Sequence, residues 1–256
     1  MKYYLFIDNF RGFSKTCIPF TDVNFLVGEN STGKTSMLGL VRLLSSPRFL
    51  FNQEFSDEHV SFGNFSDMVS AHSDDRSYFR IGVIWEHPGV KKDEISVTGW
   101  LLTYIEDAGL PRLSRYTFCR GPEKISLRFG KSILFKKETS EAPQTAEDIV
   151  SSLLPQWIAE HSSGDGGYQK LVLPSGLSSP IPILFALSMI HSQFDDETKP
   201  KDKTKRQRES TVSFKSSDMP FVSEITWIAP IRTKPRRTYD ELTRDFSPEG
   251  AHTHLT

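Results

Sequence analysis

The sequence predicts a mixed α/β (α+β) fold in which a short strand–turn–helix unit precedes a long antiparallel β region. Three observations carry this. Residues 24–35 read as an apolar strand ending in a glycine-bounded turn. The stretch after Lys34 is apolar around most of a helical cylinder. From Tyr78 onward, strand-like runs are separated by turn residues and not by helices.

Residues 2–8 carry the aromatic and branched side chains of a β-strand and run into Asn9-Phe10-Arg11-Gly12-Phe13. A turn follows, then a strand near Cys17–Phe20. Asn24, Phe25, Leu26 and Val27 form the strand expected before the glycine turn. Met37, Leu38, Leu40, Val41, Leu43 and Leu44 make the next element a buried helix. Residues 47–75, rich in Phe, Ser, Asp and Asn, read as loop with at most short helices.

The β region is predicted at Tyr78–Trp85, Ile95–Ile105, Leu113–Cys119, Ile125–Phe129 and a shorter Ile133–Phe135. Turns fall at Ala108-Gly109, Gly121-Pro122 and Gly130. This is a meander of hairpins, not the strand–helix alternation of a doubly wound sheet. Within the polar stretch 138–180, Ala146–Ala159 reads as a short helix and Gly164-Asp165-Gly166-Gly167 as a flexible turn. Ile181–Phe194 is a helix packed by Leu184, Leu187 and Met189. Asp195–Arg208, crowded with interleaved acids and bases, is a solvated linker. A strand at Val222–Ala229 leads into Pro230-Ile231-Arg232 and the basic Lys234-Pro235-Arg236-Arg237. The expected organisation is a core at 1–46, a meander at 78–136, a charged loop at 195–218, and a late strand opening a further lobe at 219–256.

The 256 residues are 37% hydrophobic and 25% charged, as in a soluble globular protein. A formal net charge of −1 leaves no global electrostatic pull toward nucleic acid or membrane, so any anion-binding face is local. The two cysteines, Cys17 and Cys119, are too few for a disulfide framework and fit a reducing cytosol. Seven histidines are scattered, and the nearest pair, His252 and His254, has no acidic or Cys company. The N-terminus is no signal peptide, and no apolar run approaches the ~18 residues of a membrane span. A cytoplasmic protein is expected.

The chemistry is concentrated in Gly28, Glu29, Asn30, Ser31, Thr32, Gly33, Lys34 and Thr35, which match GxxxxGK[ST]. Such a loop turns successive N–H groups toward phosphate oxygens. Lys34 adds charge at the β/γ-phosphates, and the Thr35 hydroxyl is placed to ligate Mg²⁺. Ser36 follows at the start of a helix whose positive dipole end faces the same phosphates. The expected ligands are therefore ATP and Mg²⁺, with Lys34 and Thr35 in the catalytic roles.

The Asn9–Phe13 turn, the loop close behind it, the antiparallel region and the late strand into Pro-Ile-Arg together resemble the N-terminal lobe of ABC-type ATPases of the RecF, SMC and OLD group. AAA-type ATPases of bacterial repair and antiphage defence, including Septu-like systems, are similar. The resemblance implies that Arg11 lies near the nucleotide with Phe10 or Phe13 beside it; the residue reads equally as a turn arginine with a solvated guanidinium. Phe62-Gly63-Asn64-Phe65, with Asp67-Met68-Val69, resembles a segment these ATPases carry after the loop helix, with no chemistry attached. The resemblance further implies a dimer closed by ATP and an effector such as a nuclease. If DNA is a partner, the candidate contacts are the basic Arg232–Arg237 and Lys199–Arg208, the latter reading first as a solvated charged loop because acids are interleaved.

The departures are as definite. No segment resembles an LSGGQ signature, and Asp195-Asp196-Glu197 follows a helix-like and not a strand-like run, unlike a Walker B acid pair. Phe246–His252 resembles a segment that precedes the helical lobe of these ATPases, so the sequence is expected to cover their N-terminal portion. Two other classes stay open: another P-loop enzyme, such as a kinase with Arg232, Arg236 and Arg237 as a lid, and a nucleotide-gated scaffold that does not hydrolyse. A guanine-reading NKxD is absent.

Overall fold

The computed structural model describes residues 2–171, apart from 22, 30–32, 47–48, 50–52, 89–94, 142, 144 and 163–165. Within them, eight strands form one antiparallel sheet ordered β2-β1-β3-β4-β5-β6-β7-β8. The strands are β1 (Tyr3–Asp8), β2 (Thr16–Phe20), β3 (Tyr78–Pro88), β4 (Ile95–Asp107), β5 (Leu110–Arg120), β6 (Glu123–Phe129), β7 (Ile133–Thr139) and β8 (Gln169–Lys170). The helices described are α1 (Lys34–Leu44), α2 (Phe65–Met68), α3 (Ala146–Asp148) and α4 (Leu154–Ser162), with a π-helical stretch at Ile149–Leu153 joining the last two. The elements expected at 181–194 and 219–256, and the charged loop at 195–218, lie outside the described residues.

Alternation along the strands writes two buried faces. On one, Leu5, Ile7, Phe79, Ile81, Val83, Leu102 and Tyr104 pack with Met37, Leu40, Leu43 and Leu44 of α1 and with Phe49, Phe55, Phe62 and Phe65. On the other, Phe6, Ile84, Val97, Leu101 and Cys119 pack with Ala146, Ile149, Leu154 and Trp157. The central strands are thus covered on both sides, which is why β1 and β3 read as nearly continuous apolar runs. Gly99 makes the second layer fit: a Cβ there would stand 3.2 Å from Ile84 Cγ1 and 3.3 Å from Trp157 Cη2.

The meander follows the sequence expectation closely. β4 and β5 are joined by Ala108 and Gly109, both at positive φ (52° and 82°), the backbone of a type I′ hairpin whose twist matches the sheet. The exception lies at 24–27. No strand forms there: residues 24–29 run as irregular chain, and no described strand pairs with them. The segment's local order is a polar turn, with Thr21 N donating to Asn24 Oδ1 at 3.0 Å and Asn24 Nδ2 donating back to Thr21 O at 2.6 Å. Val23, Phe25 and Val27 are 69%, 87% and 92% exposed. Apolar content signalled a need for cover, but a strand also needs a ladder neighbour. The helix likewise is buried on one side only: Leu38 of α1 is 40% exposed.

A polar cluster lies beneath the end of α4. His161 is buried between two hydroxyls, with Thr103 Oγ1 2.6 Å from Nδ1 and Thr117 Oγ1 2.7 Å from Nε2. Arg115 and Arg128 donate to Glu160 O, capping the helix carbonyls. Burial, reinforced by Arg80, Arg115, Arg128 and Lys124, pulls the His161 pKa down to about 3.

Two outcomes follow from this packing. Ala108→Asn, which suits the left-handed position better, should raise the unfolding free energy by about 1 kcal/mol in denaturant titration. At His161, the unfolded chain takes up a proton near its ordinary pKa of about 6.5, which the folded chain refuses. Stability should therefore fall as pH drops from about 6.5 toward 3, by up to about 1.4 kcal/mol per pH unit. Unfolding of wild type and His161→Gln between about pH 7 and pH 5 isolates this slope, which the variant should lack.

Candidate functional site

The turn after β1, the loop into α1 and the segment before α2 meet at one place. In the turn, Asn9, Arg11 and Lys15 all have positive φ (56°, 50° and 43°), a conformation uncommon for residues with a Cβ. Hydrogen bonds hold it there. Phe10 N donates to Phe13 O (3.2 Å), Phe13 N to Phe10 O (2.9 Å) and Arg11 N to Met68 O (2.7 Å). Asn9 Nδ2 donates to the carbonyls of Asp75 and Tyr78, at 2.7 and 2.6 Å. Lys15 N donates to Asp8 Oδ1 at 3.0 Å.

α1 begins at Lys34, with Gly33 in the left-handed cap position (φ 88°), open to glycine without a Cβ penalty. Met37 N donates to Gly33 O at 2.9 Å. No side-chain hydrogen bond caps α1 and no acid lies in its first turn. The positive end of the helix dipole therefore presents amides suited to an anion. Lys34 Nζ donates to Gly28 O at 2.7 Å and also to Glu29 O, tying the ammonium to the start of the loop. Thr35 is exposed and Ser36 is buried.

Arg11 reaches the same helix. Its Nη1 donates to Ser36 Oγ at 3.1 Å and its Nη2 to Phe62 O at 3.3 Å, while the guanidinium lies 4.8 Å from the Phe62 ring centroid. Burial lowers its pKa and the Asp67 carboxylate opposes that shift; an arginine keeps its charge regardless. The ring of Phe13 lies over Gly33, where a Cβ would come within 2.9 Å of Phe13 Cζ. Gly39 lets α1 approach the segment before α2 just as closely, since a Cβ there would be 3.0 Å from both Phe62 Cζ and Val60 Cγ1.

Of the residues singled out in the sequence, Arg11, Gly33, Lys34 and Ser36 are brought together. Gly28 and Glu29 join them through Lys34, and Thr35 stands on the first turn. Asn30, Ser31 and Thr32 lie outside the described residues, as do Asp195–Glu197, Lys199–Arg208, Arg232–Arg237, His252 and His254. Sequence reasoning gave Phe62 no role, yet it offers both the ring and the carbonyl on which Arg11 rests. The two are 51 residues apart, and no local pattern signals such a contact. Phe10, by contrast, is fully buried in the core. Among the described residues no group of three or more His, Cys, Asp or Glu could hold a metal ion. Mg²⁺ at Thr35 would draw its remaining ligands from phosphate oxygens and water, the habit of that ion. Among the described residues no helix is long and apolar enough to cross a membrane.

Residues 1–217 match the AAA ATPase domain family. The chain belongs to that family. Comparison with curated proteins and with solved structures gave no match. As an AAA ATPase domain the chain is a P-loop NTPase, and nucleotide binding with ATPase activity is the general function of the family. Its described sheet is antiparallel throughout, and α1 packs on one face of its central strands rather than between parallel strands.

Arg11→Ala removes two hydrogen bonds and the ring contact at once. It should lower the unfolding free energy of the nucleotide-free protein by about 1–2 kcal/mol, read by denaturant titration.

Proposed function

We propose that this chain binds ATP with Mg²⁺ through Gly28–Ser36 and works as part of an ABC-type ATPase. The observation that carries the reading is the start of α1, free of acids and with Lys34 tied back to the loop it follows. The loop amides hold phosphate oxygens, Lys34 neutralises charge at the β/γ-phosphates, and the Thr35 hydroxyl ligates the metal. Mg²⁺, when bound, would offset phosphate charge, with the Thr35 hydroxyl as the protein group placed to hold it. Arg11, fixed to Ser36, supplies a second cation beside the phosphates.

In this reading ATP closes a dimer of such chains and turnover reopens it, driving an effector such as a nuclease, or a DNA transaction, in bacterial repair or antiphage defence. Support comes from the order of the elements: an N-terminal strand, an Asn-Phe-Arg-Gly-Phe turn, the glycine loop, then an antiparallel region. DNA, if engaged, meets Arg232–Arg237, with affinity that falls as salt rises. A second reading is a nucleotide-gated scaffold that binds ATP without hydrolysis.

Mg-ATP binding and phosphate release, measured together on wild type, Lys34→Ala and Thr35→Ala, test this. Lys34→Ala should weaken Mg-ATP binding by about 2 kcal/mol or more. Thr35→Ala should erase the difference between binding in Mg²⁺ and in EDTA. Unchanged affinity in Lys34→Ala would sink the phosphate-cradle assignment. Binding without phosphate release in the wild type, alone and as a dimer, would select the scaffold.

A further inference from the structure

We infer that Phe13 is a positioning residue of the phosphate loop, the stop against which Gly33 takes up the left-handed turn that aims the first amides of α1. The inference rests on the reading of Gly28–Ser36 as a nucleotide-phosphate cradle and adds to it the part that sets the cradle's shape.

The contact is close. A Cβ on Gly33 would lie 2.9 Å from Phe13 Cζ, 3.0 Å from Cε2 and 3.8 Å from Cε1, so the ring edge occupies the space that any side chain at position 33 would need. The φ of 88° already favours glycine. The ring adds a second constraint, in that it blocks Gly33 from moving toward the β1–β2 turn.

Phe13 can act as a stop because it is itself held. Phe10 and Phe13 exchange backbone hydrogen bonds, and Phe10 is locked between Phe62 and Phe79 with ring centroids 5.2 and 5.3 Å away, edge to face. Two residues before Phe13, Arg11 bonds Ser36. The turn therefore touches the start of α1 at two points, Phe13 on Gly33 and Arg11 on Ser36, and two points set the direction of the first turn as well as its place. Donors that meet phosphate oxygens lose effect quickly when misaimed. Phe13 is only partly buried, at the rim of the core it packs against, so filling that core is not its main task.

The test is Mg-ATP affinity beside nucleotide-free stability in Phe13→Ala, Phe13→Tyr, Phe13→Leu and Lys34→Ala. Phe13→Ala should raise the Kd for Mg-ATP roughly tenfold, and Phe13→Tyr, which keeps the ring, should restore it. A merely structural role would lower the nucleotide-free unfolding midpoint and leave the Kd of the folded protein alone. Should Phe13→Ala fail to fold, Phe13→Leu, which keeps apolar bulk without the flat ring edge, carries the same comparison. In a double-mutant cycle, Gly33→Ala should cost less affinity in the Phe13→Ala background than in wild type, because one of its two obstacles is gone. Wild-type affinity in Phe13→Ala, with binding lost in Lys34→Ala, overturns the positioning role and leaves the cradle standing. Wild-type affinity in Lys34→Ala instead removes the cradle reading itself.

Discussion

The turn that carries Arg11 and Phe13 to α1 is anchored by one buried ion pair. Asp8 Oδ2 meets Arg80 Nη1 at 2.8 Å, with both side chains almost wholly removed from water. The other oxygen, Oδ1, accepts Lys15 N and closes the turn that carries Arg11 and Phe13. One carboxylate thus fastens β1 to β3 and holds the turn in its left-handed shape. Arg80 extends the link, donating to Ser162 Oγ at 3.1 Å and stacking 4.1 Å from the Tyr78 ring centroid. A buried pair of this kind adds little net stability over an apolar substitute, yet loss of one partner strands a charge at about 3–5 kcal/mol. Its contribution here is placement.

Around that anchor β1 and β3 distribute their side chains by parity. β1 sends Leu5 and Ile7 to the layer holding α1 and Phe6 to the layer holding Trp157. A slip of one residue in the pairing of β1 with β3 would exchange the two sets and carry the Asn9–Lys15 turn away from α1. The glycines at 39 and 99 act in the same spirit, each removing a side chain where a ring must lie close.

Much of this was legible in the sequence because the signals are local. Period-two alternation and the Ala108-Gly109 and Gly121-Pro122 turns place the meander, and GxxxxGK[ST] places the loop, since both are chemistry of neighbouring residues. What failed depends on partners far along the chain. Residues 24–27 have the composition of a strand but no described neighbour to pair with. Arg11 finds Phe62 across 51 residues. The two-residue β8 is Gln169-Lys170, polar and without any alternation to read, and it exists only because β7 offers an edge. The π-helical stretch at Ile149–Leu153 likewise carries no distinctive residue and lengthens the helical run to Ser162.

The connectivity of the sheet also orders its assembly. β3 to β7 join neighbour to neighbour through short hairpins, whereas β1 meets β3 across the glycine loop and α1, with the paired Asp8 and Arg80 separated by 72 positions. Chain entropy charges little for the first kind of closure and more for the second, and contacts of long sequence separation form slowly. The meander is therefore the early scaffold, and the N-terminal hairpin docks onto its edge late. A nucleotide that recognises only the docked arrangement stabilises that last step by mass action. In this architecture a nucleotide bound at that junction would act on the fold as well as being held by it.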